Sequence, residues 1–279
     1  MANIIEVEDL HFRYRDGTEA LRGLSLSIQK GSRVAILGPN GAGKSTLLLH
    51  FNGIYLPERG KVRILGREVT AKTEKWVKSK VGLVFQDPDD QVFSSSVWED
   101  VSFGPLNMNL PPAEVAARVE KALQAVQMEE YKNKAPYHLS YGQKKRVAIA
   151  GVLAMEPEII VLDEPMGYLD PQGKENLLGI LNYLHQREIT IVVATHDVDL
   201  VAEWADRVIV IKNGRTLAEG DPSLLADEDL VGAAHLRFPV VVEIFRRLPE
   251  LNLPRLPKTI AEAVEIIKTI KQNGVSVFK

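Results

Sequence analysis

Apolar residues recur at every second position near the start of the chain, at Ile5 and Val7 and again at Leu24, Leu26 and Ile28, which predicts half-buried antiparallel strands. Farther along, short β-branched runs are apolar throughout. Arg33 to Leu37, Val62 to Leu65, Val81 to Phe85, Ile159 to Leu162, Ile191 to Ala194 and Val208 to Ile211 read as strands, several buried on both faces. Helical texture fills the intervals. Lys44 to Phe51 and Gln172 to Arg187 predict helices, and from about Val97 to Met155 the character changes to helical, most clearly over Ala113 to Val126 and Gln143 to Met155. Strands alternating with helices imply a parallel sheet covered on both faces, with the helical stretch of about 90–155 inserted into it. After Gly220 the texture shifts. Pro239 to Leu248 and Pro257 to Lys271 predict two amphipathic helices joined by a Pro-rich link.

Composition narrows the function classes. The chain has 279 residues, 45% hydrophobic and 25% charged, the profile of a soluble globular protein of one large or two smaller domains. Lys and Arg number 34 against 37 Asp and Glu, a net charge of −3, which argues against a dedicated nucleic-acid binder. Absence of cysteine excludes a disulfide scaffold, a zinc finger and thiol catalysis, and fits a cytoplasmic setting. The first residues lack the pattern of a signal peptide, and no run of 18 apolar residues occurs, so any role at a membrane is expected to go through a partner.

The segment Gly38-Pro39-Asn40-Gly41-Ala42-Gly43-Lys44-Ser45-Thr46 matches GxxxxGK[ST] and lies between a buried strand and a helix. Its glycines let backbone N–H groups turn inward around a phosphate, and the helix N-terminus adds positive potential. Lys44 is expected to reach the β- and γ-phosphates and Ser45 to hold Mg²⁺. Four apolar residues from Ile159 to Leu162 end in Asp163 and Glu164, placing two carboxylates at the C-terminal tip of a central strand, where open α/β sheets bind ligands. Asp163 is expected to serve Mg²⁺ through water, and Glu164 to orient and polarise the attacking water.

Between these segments stands Leu139-Ser140-Tyr141-Gly142-Gln143, ahead of Lys144, Lys145 and Arg146, which read on their own as a solvated helix face. With this stretch the sequence resembles the ATP-binding subunits of ABC transporters, whose LSGGQ signature opens a helix ahead of the acidic strand. Gln86, Leu169-Asp170 and His196 match further motifs in order, and Tyr14 stands where the family stacks a ring on adenine. The resemblance covers roughly residues 3–220. It implies an α/β P-loop NTPase fold with a mixed sheet core, an antiparallel β subdomain, an inserted helical subdomain and a small C-terminal helical domain at 221–279. It also implies that Lys44, Gln86, Glu164 and His196 are catalytic, that Ser45, Gln86 and Asp163 hold Mg²⁺, and that ATP binds Tyr14 and residues 38–46. Ser140, Gly142 and Gln143 would complete the site of a second subunit, sandwiching two nucleotides head to tail, with Leu169 and Asp170 facing the dimer partner. Tyr141 departs from the family, which has glycine there, and Tyr168 fills a position where small residues are common.

The residues after Gln86, Asp87-Pro-Asp89-Asp90-Gln91-Val-Phe-Ser, then Val97 to Pro105, resemble the ATPases of energy-coupling-factor (ECF) transporters, importers of vitamins and transition metals. The resemblance implies a groove bearing Asp87, Asp89 and Asp90 that receives a membrane scaffold (T) subunit, a further substrate-binding membrane subunit, and a place at the cytoplasmic face of the cell membrane. The whole chain most resembles the cobalt-transporter ATPase, which works as a homodimer and whose tail aids dimerisation. A vitamin importer stays open as an alternative. A soluble ABC ATPase of DNA repair or translation fits poorly, because such proteins carry coiled coils or two fused units. A P-loop GTPase or kinase leaves Leu139 to Gln143 unexplained.

Overall fold

The computed structural model describes residues 2–272. Strands β1 (Asn3–Arg13) and β2 (Glu19–Gln29) form an antiparallel hairpin, and β3 (Arg33–Leu37) runs into helix α1 (Lys44–Phe51). Next come β4 (Arg59–Ile64), the two-residue β5 (Arg67–Glu68), α2 (Glu74–Lys80) and β6 (Val81–Val84). A 3-10 turn at Pro88–Asp90 leads to the inserted helices α3 (Val97–Asn107), α4 (Pro112–Ala125) and α5 (Tyr141–Leu153). The chain then returns through β7 (Ile159–Asp163), α6 (Pro171–His185), β8 (Thr190–Thr195), α7 (Val198–Trp204), β9 (Arg207–Lys212) and β10 (Arg215–Gly220). Short helices α8 (Glu228–Ala233) and α9 (Val240–Arg246), followed by α10 (Ile260–Gln272), complete the described chain.

Two sheets result. One is antiparallel, in the order β2-β1-β4-β5. The other runs β10-β9-β3-β8-β7-β6, parallel except for its edge strand β10, so it is a mixed sheet. The apolar runs explain why its inner strands are covered on both faces. On β7, Ile159 and Val161 pack toward the antiparallel sheet and α1, while Ile160 and Leu162 pack toward α6 and the inserted helices. All four are fully buried, and each such side chain contributes about 1.5–3 kcal/mol when removed from water. A third cluster joins β3 and β9 to α7, Leu225 and Ala234.

The predicted strands and helices form, with ends shifted by a few residues. The pattern of apolar positions carries no sign of β5, α2, α7 or β10, which are short or half exposed. One expectation is overturned. Lys145 is not on a solvated face: its side chain is 1% exposed. After Gln86 the chain forms the 3-10 turn followed by α3.

Helix α7 anchors the C-terminal segment. Asp199 accepts from the Val240 N–H at the start of α9 (2.6 Å) and pairs with Arg237 (2.7 Å), and Glu203 accepts from the Ile260 N–H at the start of α10 (2.6 Å). Carboxylates at helix N-termini satisfy donors that have no partner within the helix. No helix of the described residues is long and apolar enough to cross a membrane. Residues 273–279, the end of the expected C-terminal domain, lie outside the described residues.

Candidate active site

Strand register gathers the expected site at one sheet edge. β3 pairs with β8 (Leu37 opposite Thr195) and with β9 (Leu37 opposite Val210), and β7 pairs with β8 (Asp163 opposite Ala194). Phosphate loop, carboxylate pair and His196 therefore emerge side by side at the C-terminal ends of parallel strands.

The loop is packed too tightly for side chains at two of its glycines. A Cβ on Gly38 would stand 2.2 Å from the Ile211 carbonyl oxygen. Gly43, with φ +103°, would place one 2.7 Å from the Ala20 carbonyl oxygen. No side chain caps α1 after Gly43, so its first N–H groups stay available. Lys44 is buried. Its Nζ donates to the carbonyls of Gly38 (2.8 Å) and Pro39 (3.3 Å) and lies 3.9 Å from Glu164 Oε1. Burial lowers its pKa, against the pull of the Glu164 and Asp163 carboxylates. Tyr14 stands beside the loop, its hydroxyl 2.6 Å from Thr46 Oγ1 and its ring edge-on to Phe12.

Glu164 adopts φ +41°, a left-handed conformation that costs a non-glycine residue about 1–3 kcal/mol. Its N–H donates to the Ala194 carbonyl (2.8 Å), and this turn aims the carboxyl at three neighbours. Thr195 Oγ1 donates to Oε2 (3.1 Å), His196 Nδ1 lies 2.9 Å from Oε1, and Lys44 approaches the same oxygen. The carboxyl is only 13% exposed, whereas the His196 side chain is 70% exposed. Thr195 is a site residue that no motif pointed to; its position, last in a buried strand and next to His196, is the only signal for it.

Asp163 is buried, and its Oδ1 has no hydrogen-bond partner among the described residues. Burial raises its pKa and Glu164 adds to the rise, while the Ser45 hydroxyl, Lys44 and Lys145 oppose it. An unpartnered carboxylate oxygen facing a hydroxyl from the phosphate loop is a donor set suited to Mg²⁺ and its waters.

Gln86 exposes its side chain at the end of β6, and its carbonyl accepts from Lys145 Nζ (2.5 Å) and Tyr141 Oη (3.0 Å). Phe85, Gln86, Asp87, Asp90, Tyr141, Asp163 and Tyr168 line an open cleft of about 600 Å³. Burial pushes the Lys145 ammonium down to about 8. Burial also raises the Tyr141 pKa, with Asp87 adding to the rise.

Ser140 caps α5 in a closed box: its Oγ accepts from the Gln143 N–H (3.3 Å), and Gln143 Oε1 accepts from the Ser140 N–H (2.9 Å). Gly142 lies against Leu169, where a Cβ would stand 3.4 Å from Cδ2. Asp170 caps α6 through the Gly173 N–H (2.7 Å). Among the described residues no hydrogen bond joins Ser140, Gly142 or Gln143 to the phosphate loop. The fold thus brings Lys44, Ser45, Asp163, Glu164 and His196 together, while Ser140 and Gln143 bond each other at the start of α5. Of the three acids after Gln86, Asp89 pairs with Lys144 (2.5 Å) and Asp87 caps the 3-10 turn, while Asp90 has no partner among the described residues.

Comparison with known proteins places these features. The family model described as "ABC transporter" matches residues 21–167. The energy-coupling factor transporter ATP-binding protein EcfA of Carboxydothermus hydrogenoformans is 50% identical over 95% of this chain and 97% of its own. A protein of the same description from Methanocaldococcus jannaschii is 52% identical over 90% of this chain and 91% of its own. Among solved structures, cbiO1 from Clostridium perfringens, part of the ABC transporter complex cbiONQ, superposes with a TM-score of 0.75 at 43% identity, covering 88% of this chain and 100% of that one. An ATP-binding cassette solved as a dimer in a post-hydrolysis state with ADP and Pi superposes at 0.71 with 29% identity, covering 78% of this chain and 98% of its own.

Proposed function

The chain belongs to the ABC transporter ATP-binding family, in its energy-coupling-factor branch, and is an ATPase; from that premise we propose that it is the motor of an importer for a transition metal ion, cobalt first. The observation that carries the chemistry is the convergence of Lys44, Thr195 and His196 on the Glu164 carboxyl. In this reading residues 38–46 hold the phosphates of ATP, Tyr14 stacks on adenine, and Glu164 orients the attacking water, with His196 completing its setting. Ser45, Gln86 and Asp163 would hold Mg²⁺, which offsets phosphate charge.

In this reading the far side of the γ-phosphate is left to a partner. Ser140 and Gly142 of a second copy are suited to cover it, with Leu169 and Asp170 at the seam. Turnover is then slow in the open monomer and fast in the closed homodimer, because phosphoryl transfer depends on positioning and on charge stabilisation. The dimeric cassette holding ADP and Pi supports this reading.

The C-terminal segment at 221–279, as a domain distinct from the ATPase domain of 1–220, is assigned to dimerisation. Exposed Val240 and Ile244 follow one face of α9, and exposed Ile260, Val264 and Ile267 follow one face of α10, apolar positions at helical spacing. Removing residues 221–279 is expected to weaken the homodimer at least about tenfold by sedimentation. Unchanged dimerisation would sink the assignment.

Cargo and partners rest on the likeness to cbiO1 over its whole length. Exposed Asp90, three residues before Phe93, offers charge to basic side chains of a membrane scaffold. The protein would then sit peripherally on the cytoplasmic face of the membrane. The test is purification from native membranes in mild detergent, with mass spectrometry of the proteins that co-purify. A scaffold subunit with a small metal-binding membrane protein, and ATP-dependent cobalt uptake, is expected. A vitamin-binding subunit would keep the motor and overturn the cargo. Ribosomal or DNA-bound partners alone would overturn transport.

A further inference from the structure

We propose that Tyr141 and Lys145 are positioning residues that fasten the Gln86 main chain to the first turns of α5, so that Gln86 and Ser140 move as one body. Four residues apart on a helix, the two side chains leave the same face. Both reach the Gln86 carbonyl, Lys145 Nζ at 2.5 Å and Tyr141 Oη at 3.0 Å, and Lys145 adds the Phe85 carbonyl at 3.2 Å. Gln91 braces the same strand end from the other side, accepting from the Phe85 N–H (3.1 Å) and donating to the Leu83 carbonyl (3.0 Å). The main chain at 85–86 is therefore held by α5 and by the turn after it, and only the Gln86 side chain is free to swing toward a ligand. The Tyr141 ring also meets Tyr168 edge-on at 5.7 Å, which extends the contact to the loop carrying Leu169 and Asp170.

Stability does not explain Lys145. No carboxylate of the described residues lies within ion-pair distance of it, and a buried cation held by two carbonyls, with the Tyr141 ring 5.6 Å from its Nζ, is poorly compensated for lost hydration. What its ammonium achieves is a tether. Ser140, the residue suited to a partner's nucleotide, caps the helix that holds Gln86, the residue suited to this subunit's own nucleotide. Displacement of Gln86 by its nucleotide then carries Ser140 with it. A glycine at 141, as in the family signature, would supply neither the hydroxyl nor the ring. The inference rests on the catalytic reading above and assigns it a link between the two half-sites.

The experiment measures steady-state ATP hydrolysis and thermal melting of the full chain with Tyr141→Phe, Lys145→Met and both changes together, beside Glu164→Gln. Tyr141→Phe, which keeps the ring, is expected to lower kcat about threefold, and Lys145→Met about tenfold, with KM for ATP within about twofold of the parent. The melting temperature of Lys145→Met should stay within a few degrees of the parent, because release of a poorly compensated buried cation offsets the loss of a donor to the Phe85 carbonyl. The double variant should lose less than the product of the single effects, because both donors serve one carbonyl. Native kcat in both single variants would overturn the tether. So would a loss of kcat in step with the melting temperature, or a rise in KM at constant kcat. Failure here with an inactive Glu164→Gln removes the tether alone, whereas turnover by Glu164→Gln removes the catalytic reading.

Discussion

Replacing Glu164 by Gln should lower ATP turnover by about 10²- to 10⁴-fold while ATP binding persists, as expected when a positioned base is removed. Gln keeps the size of the side chain and can still accept from Thr195 Oγ1, so the turn at Ala194 and the phosphate loop keep their shape. It cannot take charge from the water, nor pair with Lys44 at 3.9 Å. The barrier rises by about 3–5 kcal/mol, and the closed dimer, unable to discharge its nucleotide, accumulates. Phosphate release measures the first effect and size-exclusion chromatography with MgATP the second. A native rate would remove Glu164 from the mechanism.

Lys44→Ala should act earlier. The Lys44 ammonium bonds two loop carbonyls from a buried position, so its truncation removes both the cation for the phosphates and a brace of the loop. Turnover is expected to fall at least about a hundredfold, with nucleotide affinity falling as well. Thermal melting separates the two variants, because a ligand stabilises only a fold that binds it. MgATP should raise the melting temperature of the parent and of Glu164→Gln but not of Lys44→Ala. A normal shift in Lys44→Ala would remove Lys44 from phosphate binding.

The parts of the site visible in the sequence are those whose residue types have few other reasons to occur together. A glycine-rich turn between a buried strand and a helix, and two acids closing a run of four apolar residues, are enough to place Lys44, Asp163 and Glu164 at one sheet edge. The unbroken apolar run also anticipates the sheet, since Ile159 to Leu162 must face apolar layers on both sides. Thr195 escaped because a threonine ending a β-branched strand looks like any other strand residue. Lys145 escaped for a different reason. Three consecutive basic residues suggest a wet surface, but helical geometry sends them in three directions: Lys144 to Asp89, Lys145 to the Phe85 and Gln86 carbonyls, and Arg146 to those of Val126 and Gln127. Carbonyls left over at strand and helix ends need donors, and which side chain supplies them depends on tertiary packing.

The neighbours of the phosphate loop set a timetable for synthesis. β3 lies between β8 and β9, Gly38 rests on the Ile211 carbonyl, and the Gly214 N–H donates to Ala42 (3.0 Å), so both neighbours of β3 and these two supports of the loop come from residues 190–214. At about 5–20 residues per second, those residues leave the ribosome on the order of ten to thirty seconds after the loop does. Through that interval the β1–β2 hairpin can close locally, while β3 has neither neighbour to pair with. The nascent chain carries the complete GxxxxGKS segment for most of its synthesis without being able to cradle a phosphate, and nucleotide competence arrives in one late step, when the centre of the sheet is filled.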